Sequence, residues 1–521
     1  MVPDQPDHGE VKEEVFVFPA SFAQQRLWFI EQLLPGASIY TIPLVFRLTG
    51  SLHCSALAQS IQAIVGRHET LRTTFDLMDG QLAQVIAPEL QVPLQKTDLR
   101  SLPTNTREDN ALEEIRQESQ RSFHLKKGPL FRARLWQLQD TEHLLLIALH
   151  HIVFDEWSSG VLIRELGELY AALVENRPAG LAELPIQYAD FAHWQREWLQ
   201  GEVLNAQLRY WKQQLKAVPT LNLPGASARP LAQSYRGASQ LLELPQGLLD
   251  GLEALSQQAG VTLFMTMLAA FQTLLHRYTG QTDIAIGSPI ANRHRSELEE
   301  LIGFLVNSLV LRTDLSGDPT FRELLDRVRE VTLAAYAHQD LPFEKLVEEL
   351  QPVRNLGQNP LFQVVFALQN TPMEQLELPG LILSPLEFET KTTRFDLEMY
   401  VWKCTGNFRS LWGKGWQQSD GLRGVVVYNT DLFNETTIAS LRQHFQTLLK
   451  GIVVNPDAPL SALPLLTPTE QESLLLQWNR TQTEYPANAC IHQLFEAQVE
   501  QHPTAIAVKF AAQQFTYQEL N

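Results

Sequence analysis

Residues 143–170 read HLLLIALHHIVFDEWSSGVLIRELGELY and join a strand pattern to a helix pattern through a polar turn. The run His143–Leu149 predicts a buried β-strand, because it is short, unbroken and almost wholly apolar. The last ten residues of the quoted segment repeat apolar side chains at helical spacing and predict an α-helix. His150 and His151 stand at the end of the predicted strand, and Asp155 stands at the start of the helix. A fold can hold titratable groups rigidly at such a point, so this turn is the candidate site.

The two histidines of the turn are predicted to differ in role. Consecutive residues of a strand point to opposite faces of the sheet, so only one of His150 and His151 can face a substrate. Asp155 has the residue type and the position of a helix N-cap, and a carboxylate there is also a candidate general base. Trp157 and Ser158 fall in the first turn of the helix, where packing is the expected role of Trp157.

The length and charge of the chain indicate its broad class. A chain of 521 residues exceeds one ordinary hydrophobic core, so two or three domains are expected. The hydrophobic fraction of 44% and the charged fraction of 19% are typical of globular proteins. The net charge of −18 argues against a nucleic-acid partner, because phosphate binding requires clustered cations.

Cysteine use and apolar runs bear on the cellular compartment. The three cysteines, Cys54, Cys404 and Cys490, are far apart and predict neither a disulfide framework nor a zinc site. The run Leu144–Leu149 is too short to cross a membrane. Met1–Glu14 is polar and acidic, unlike a secretory signal. We therefore expect a cytoplasmic protein without a membrane partner.

Strand and helix patterns alternate on both sides of the histidine turn. Helices are predicted at Phe22–Leu34, Leu57–Arg67, Ala111–Phe123, Leu263–Thr279 and Leu441–Ile452, and strands at Ile42–Leu48, Leu130–Leu138, Ile284–Pro289, Asp396–Trp402 and Leu422–Tyr428. Residues 102–110 are polar and rich in turn formers, so a loop is predicted there. This order predicts a mixed α/β protein built in two parts.

Seven ordered segments resemble the condensation domains of nonribosomal peptide synthetases. The histidine turn is similar to the family signature HHxxxDG, with Glu156 in place of the glycine. The other segments are Ser21–Trp28, Arg67–Phe75, Tyr188–Trp194, Ile302–Leu309, His338–Phe343 and Arg354–Phe362. A lone HHxxxD motif is a weak signal, whereas the whole set in the family's order is a strong one.

The resemblance implies a fold and a division of the chain. The implied fold is α/β, with two chloramphenicol-acetyltransferase-like subdomains arranged as a V-shaped pseudo-dimer with a central tunnel. We expect an N-terminal linker at 1–16, an N-terminal subdomain at 17–187, a C-terminal subdomain at 188–455, a linker at 456–484 and the N-terminal fragment of an adenylation domain at 485–521. No segment resembles the phosphate-binding loop of an adenylation domain, so amino-acid activation is not expected.

The resemblance also implies an activity, which is formation of a peptide bond between two substrates carried as thioesters on carrier proteins. His151 is then the catalytic histidine and His150 the core histidine. Asp155 is expected to pair with an arginine, for which Arg67 is the candidate, and Ser308 is a candidate for the tunnel wall. The implied partners are an upstream donor carrier protein, a downstream acceptor carrier protein and the adjoining adenylation domain. Phosphopantetheine arms deliver the substrates, and no bound cofactor or metal is implied.

Glu156 departs from the family signature and leaves three hypotheses open. Glycine is used where nothing larger fits, whereas a glutamate in the first turn of a helix is favoured by the helix dipole. In one hypothesis Glu156 acts beside His151 and removes the α-proton of a seryl or threonyl donor, which gives a dehydroamino acid. In another it is a tolerated surface substitution. In the third the chain is an inactive scaffold that recruits a tailoring enzyme.

Other parts of the resemblance concern the subclass. The opening segment and the second segment are similar to the subclass that joins an L-configured donor to an L-configured acceptor, which disfavours epimerising and heterocyclising relatives. A free acyltransferase that uses coenzyme A is an alternative that the adenylation-like tail disfavours.

The segment Lys403–Gly421, with Trp412 and Trp416, is too long for a tight hairpin. Local packing of these tryptophans is preferred over covering part of the tunnel.

Overall fold

The computed structural model describes residues 15–33, 36, 38–225, 227–352, 357–369, 377–386, 391–404, 421–484 and 487–521. The predicted linker up to residue 14, Arg354 and the tryptophans of Lys403–Gly421 lie outside these residues. The chain divides into two compact units, Met1–Leu465 and Leu466–Asn521.

Strands and helices alternate through the first unit. Up to residue 175 the order is β1 (Phe16–Pro19), α1 (Phe22–Leu33), β2 (Thr41–Gly50), α2 (Cys54–Arg67), β3 (Thr73–Met78), β4 (Gln81–Ile86), β5 (Gln95–Asp98), α3 (Thr104–Gln120), β6 (Phe131–Gln139), β7 (Glu142–His150) and α4 (Glu156–Glu175). From residue 188 the order is α5 (Tyr188–Trp198), α6 (Gly201–Gln214), β8 (Gly237–Leu244), α7 (Gln246–Ala259), α8 (Leu263–Thr279), β9 (Asp283–Ile290), α9 (Ser296–Glu299), β10 (Asn307–Asp314), α10 (Phe321–Ala337), α11 (Phe343–Leu350), β11 (Val364–Gln369), β12 (Glu377–Leu378), β13 (Leu381–Pro385), β14 (Leu397–Cys404), β15 (Gly421–Asn429) and α12 (Glu435–Val454). The predicted α/β class is confirmed, whereas the V-shaped arrangement and the tunnel stay predictions.

Two mixed six-stranded sheets organise the first unit. The first has the strand order β12-β13-β2-β7-β6-β5, and the second has the order β10-β9-β11-β14-β15-β8. Strand β13 comes from the second part of the chain but pairs antiparallel with β2, which places Leu381 opposite Gly50 and Pro385 opposite Phe46. Local sequence patterns give no sign of this pairing, because it joins strands more than three hundred residues apart. The boundaries of the two subdomains stay predictions.

Helices cover both sheets. Phe46 of β2 and Leu166 of α4 belong to one buried cluster, and Ile115 of α3 and Trp136 of β6 belong to another. The second sheet packs through residues such as Phe366 against α7, α8, α10 and α12. Within the described ranges no single helix is long and apolar enough to span a membrane; α7 and α8, bent by 104°, meet that test only as a pair.

Helix α3 begins earlier than the sequence predicts. A loop is expected at 102–110, but the helix starts at Thr104. Its first two turns are mostly exposed, so they lack the apolar stripe by which a surface helix is recognised. Arg107 holds this end in place by donating hydrogen bonds to the carbonyls of Leu102 (2.8 Å) and Leu138 (2.9 Å). By contrast, α8 occupies the predicted range Leu263–Thr279.

The second unit is small. It contains α13 (Pro468–Glu472), a π-helical turn at Ser473–Gln477, α14 (Ile491–Gln501), the antiparallel pair β16 (Ile506–Phe510) and β17 (Gln513–Thr516), and α15 (Tyr517–Leu520). Among the described residues of this unit none is fully buried. The helix and strand predicted from Ile491 and Ala505 onward are confirmed as elements.

Candidate active site

The strand that leads into the histidine turn ends at His150, two residues before the end of the range Glu142–Ile152 that its sequence pattern predicts. Strand β7 stops at His150, and His151–Val153 form a turn of 3₁₀ helix. The prediction that both histidines lie in the strand is therefore wrong for His151. The reason is that β2 begins at Thr41, opposite His150, so no backbone partner is available for the next residue. The amide of Ile152 donates instead to Nδ1 of His150, at 3.0 Å.

His150 lies in the core, as predicted. Its side chain is 2% exposed, and burial followed by the charge of His151 lowers its pKa to about 3. It is therefore neutral near pH 7 and supports the turn through Nδ1.

The ring of His151 has a defined tautomer. Its Nδ1 lies 2.7 Å from the carbonyl oxygen of Phe154. Because a carbonyl only accepts, Nδ1 carries the proton and Nε2 is the basic nitrogen. The ring packs edge-on against Phe304, with 4.8 Å between centroids. Burial, then the positive charge of Arg394, lower the pKa of His151 to about 4, so the ring is neutral near pH 7.

Asp155 is a support for the turn, and its N-cap role is confirmed. One carboxylate oxygen accepts from the amide of Ser158 (2.9 Å) and from its hydroxyl (2.7 Å). Arg293 pairs with both carboxylate oxygens at 2.9 Å, and both side chains are completely buried. The amide of Leu305 donates the remaining contact at 3.0 Å. Burial raises the pKa of Asp155, but Arg293 and Ser158 outweigh it, and the net shift is downward.

The predicted pairing of Asp155 with Arg67 is wrong. Arg67 ends α2, which packs beside α4 two to three helical turns beyond Asp155, and it meets Glu165 there at 3.0 Å. The true partner, Arg293, follows β9 in the second part of the chain. No local pattern distinguishes it from neighbouring cations, because the pairing depends on how the two parts pack.

Glu156 points toward the second sheet. It is the first residue of α4 and is half-buried. One of its carboxylate oxygens accepts a hydrogen bond of 2.7 Å from Nε2 of Gln369, the last residue of β11. Its carboxylate therefore bridges the helix that follows the histidines and the second sheet.

The remaining predicted residues have structural contacts. The indole N–H of Trp157 donates to the carbonyl of Glu299 at 2.9 Å, which fits the predicted packing role. The hydroxyl of Ser158 is fully buried and accepts from the amide of Gly303 at 3.1 Å. Ser308 lies on β10 opposite Pro289 and is half-buried; its place in a tunnel wall stays a prediction.

A polar row on the second sheet completes the site, and the sequence analysis missed it. Glu398 on β14 accepts from the hydroxyls of Thr393 (2.7 Å) and Tyr400 (2.6 Å) and from the amide of Arg394 (3.2 Å). Burial, then the charge of Glu398, raise the pKa of Tyr400 well above its ordinary value, so the phenol keeps its proton. The alternation of polar and apolar residues in Glu398–Val401 is the signal that reveals one polar face of a strand.

The described residues contain no cluster of three or more histidine, cysteine or carboxylate side chains suited to a metal ion. The arrangement offers a neutral histidine base, a carboxylate at Glu156 and the cation of Arg394. Such a set is suited to proton transfer and to stabilising developing negative charge.

Comparison with known proteins identifies the family. A family model described as Condensation domain matches residues 16–475. A linear gramicidin synthase of Brevibacillus parabrevis is 47% identical over 96% of this chain, which covers 10% of that relative. A surfactin synthase of Bacillus subtilis (strain 168) is 36% identical over 98% of this chain, which covers 13% of it. The chain thus spans only about a tenth of the length of these curated relatives.

Solved structures show the same fold. The X-domain from teicoplanin biosynthesis has a TM-score of 0.77 and 29% identity, covering 86% of this chain and 97% of that one. The X-domain in its complex with OxyB has a TM-score of 0.75 and 28% identity, covering 90% of this chain and 100% of that one. A four-domain nonribosomal peptide synthetase, holo-AB3403, has a TM-score of 0.83 over 99% of this chain and 38% of its own, but at 21% identity it supports the fold alone.

Proposed function

Because this chain belongs to the condensation-domain family of nonribosomal peptide synthetases, we propose that it joins a donor aminoacyl or peptidyl thioester to an aminoacyl acceptor. Both substrates are carried on phosphopantetheine arms, the donor on an upstream carrier protein and the acceptor on a downstream one. The observation that carries the proposal is the tautomer of His151. Its Nδ1 holds the proton and donates it to the carbonyl of Phe154, so Nε2 has the lone pair that can accept a proton.

The chemistry assigned to His151 is transfer of one proton. As the acceptor amine attacks the thioester carbon, Nε2 takes a proton from the amine nitrogen. The C–N bond forms, the C–S bond breaks, and the same proton passes to the departing sulfur. We assign stabilisation of the oxyanion of the tetrahedral intermediate to the cation of Arg394, whose charge lowers the pKa of His151.

In this proposal Asp155 does not contact the reacting groups. Its carboxylate is fully occupied by Arg293, Ser158 and Leu305, which argues against the alternative of a general base. Since Arg293 and Leu305 belong to the second part of the chain, the carboxylate fixes the histidine turn against that part. We assign it a positioning role.

The subclass and the neighbours of the domain are finer parts of the proposal. The opening and second motifs support an L-configured donor and an L-configured acceptor. The resemblance of residues 485–521 to the start of an adenylation domain supports an adjoining adenylation domain as a partner.

The test is intact-mass analysis of the acceptor carrier protein after incubation with this chain, a loaded donor carrier and a loaded acceptor carrier. We expect a mass increase equal to the donor acyl group. His151→Ala should lower the rate by about a hundredfold to ten-thousandfold, since it removes the base and leaves positioning intact. Unchanged turnover in that variant would contradict the role of His151. Acceptance of coenzyme A thioesters but not of carrier substrates would favour the free acyltransferase.

A second activity, dehydration of the donor, is supported by the placement of Glu156. Its carboxylate is half-buried and faces the second sheet, five residues after His151. In this proposal the carboxylate takes the α-proton of a seryl or threonyl donor, the β-hydroxyl leaves with that proton as water, and a Cα=Cβ bond forms. A Glu156→Gly variant restores the family residue and is the matched control. If the wild-type chain gives a product lighter by one water and the Glu156→Gly variant does not, dehydration by Glu156 is supported. If the two products have equal mass, Glu156 is a tolerated substitution.

A non-catalytic scaffold is the competing function, and one observation favours it. Two matching structures are X-domains, and one of them is a complex with OxyB. If this chain only recruits a tailoring enzyme, no donor will yield an amide product, and His151→Ala will leave the partner's activity unchanged. An amide product with any donor excludes a purely non-catalytic role.

A further inference from the structure

Two buried polar atoms on the neighbouring strands β11 and β14 have no partner within the described part of the chain. They are the indole N–H of Trp402 and the side-chain carbonyl oxygen of Gln369. Trp402 is only 1% exposed. Leaving such a group unpaired destabilises the fold, so native proteins satisfy nearly all of them.

The two atoms belong to directly neighbouring residues. In the parallel pairing of β11 with β14, Gln369 stands opposite Trp402 and Ala367 stands opposite Tyr400. The opposite face of these strands carries Phe366 and Met399, which lie in the hydrophobic core of the second sheet. Gln369 and Trp402 therefore share the face that carries the polar row.

This pair stands beside Glu156. The amide nitrogen of Gln369 already donates to the Glu156 carboxylate, which leaves the carbonyl oxygen of the same amide as an acceptor. The site thus offers one donor from Trp402 and one acceptor from Gln369. Neighbouring strands lie about 4.8 Å apart, so these two side chains lie side by side on that face.

A hydroxyl group can satisfy both atoms at once. A hydroxyl oxygen accepts the indole N–H and donates its own hydrogen to the amide oxygen. A carboxylate has no hydrogen to donate to the amide, and an ammonium group has no lone pair for the indole. An aliphatic side chain would leave both atoms unpaired and is penalised for that reason.

We infer that Gln369 and Trp402 form a recognition site for the hydroxyl of a seryl- or threonyl-type substrate bound beside Glu156. The inference rests on the proposed condensation function and adds the class of side chain that the site selects. The two residues are specificity-determining contacts and take no part in bond making.

The test is calorimetric binding of two unreactive analogues, seryl-pantetheine amide and alanyl-pantetheine amide, to the full chain. We expect the seryl compound to bind about tenfold to a hundredfold more tightly, because only its side chain carries a hydroxyl that pairs with both atoms. Trp402→Phe keeps the aromatic ring but removes the N–H, so it should weaken seryl binding and leave alanyl binding unchanged. Trp136→Phe is the control, since this fully buried tryptophan of the first sheet donates to Glu114 instead.

Two results would overturn the inference. One is equal binding of the two analogues, or no binding of either, as expected if an ordered water pairs the two atoms. The other is a seryl preference that survives in Trp402→Phe. The condensation assay is read separately. A seryl preference without amide product would contradict the proposed function alone, and amide product without a preference would contradict the recognition site alone.

Discussion

A single backbone carbonyl, that of Phe154, fixes the protonation of His151. The carbonyl holds the Nδ1 proton, and burial together with the charge of Arg394 keeps the ring neutral. His150, one residue earlier, is also neutral but uses Nδ1 to accept from the backbone. Two adjacent histidines thus have opposite tautomeric demands, which suits one to a supporting role and the other to the proposed role of base.

The pH dependence of amide formation follows from the lowered pKa of His151. The base is active when neutral, so kcat/KM, once corrected for ionisation of the acceptor amine, should be constant near pH 7 and fall as the pH drops through about 4. Arg394→Gln removes a positive charge, which raises the pKa of His151 and moves this acid limb to higher pH. A pH profile of kcat/KM, restricted to the range in which circular dichroism shows an intact fold, measures it. An acid limb that stays in place in the variant would contradict the role of Arg394.

The Asp155–Arg293 pair should dominate local stability. Arg293→Met leaves a fully buried carboxylate unpaired, and we expect a loss of about 3–5 kcal/mol in the free energy of unfolding, measured in urea. Arg67→Met is the matched control, with a smaller expected loss, since Glu165 keeps its contact of 2.8 Å with His68. Equal losses in the two variants would argue against a dominant Asp155–Arg293 pair.

At the scale of elements, the segment between α9 and β10 fastens the two parts of the chain together. The amide of Ile302 donates to Nδ1 of His68 at 3.4 Å, and the amide of Gly303 donates to Ser158. The hydroxyl of Tyr188 donates to the carbonyl of Phe304 at 2.7 Å. This segment also supplies the aromatic ring that contacts His151, so its position affects the base directly.

Gly303 is the position where this segment tolerates the least change. A Cβ there would lie 2.2 Å from the ring of Tyr188, a buried residue that cannot move aside. We expect Gly303→Ala to destabilise the fold by about 1–3 kcal/mol and to lower kcat, because Phe304 shifts against His151. Gly247→Ala on α7 is the control, since no atom lies within 4 Å of its Cβ and no loss is expected. Thermal unfolding measures the change in stability, and the amide-formation assay measures the change in kcat.

At the scale of the whole molecule, the two sheets of the first unit are not independent. Strand β13 completes the first sheet, although its flanking elements belong to the second part of the chain. The buried pair of Asp155 and Arg293 adds a further link between the parts. Unfolding one part would therefore expose an unpaired strand edge and an unpaired charge in the other.

We accordingly expect one cooperative calorimetric transition for Met1–Leu465 instead of two. Arg293→Met should lower the midpoint of this transition and broaden it, because one link between the two parts is lost. The ratio of van't Hoff to calorimetric enthalpy measures this cooperativity. Two resolved transitions from this unit of the wild-type chain would show that the subdomains unfold separately.

The sequence by itself determined the features that depend on near neighbours. The alternation of strands and helices and the N-cap at Asp155 follow from periodicity and local residue preference. Local patterns failed where a helix lacks an apolar stripe, as at Thr104, and where a strand ends for want of a partner, as after His150.

Only the tertiary structure decided which distant residues meet. Arg293 reaches Asp155 across 138 positions, Gln369 reaches Glu156 across 213, and β13 joins a sheet of the other part of the chain. The physical reason is that a charge or an unpaired strand edge accepts any complementary partner. The packing of the two hydrophobic cores selects the one that is brought within reach.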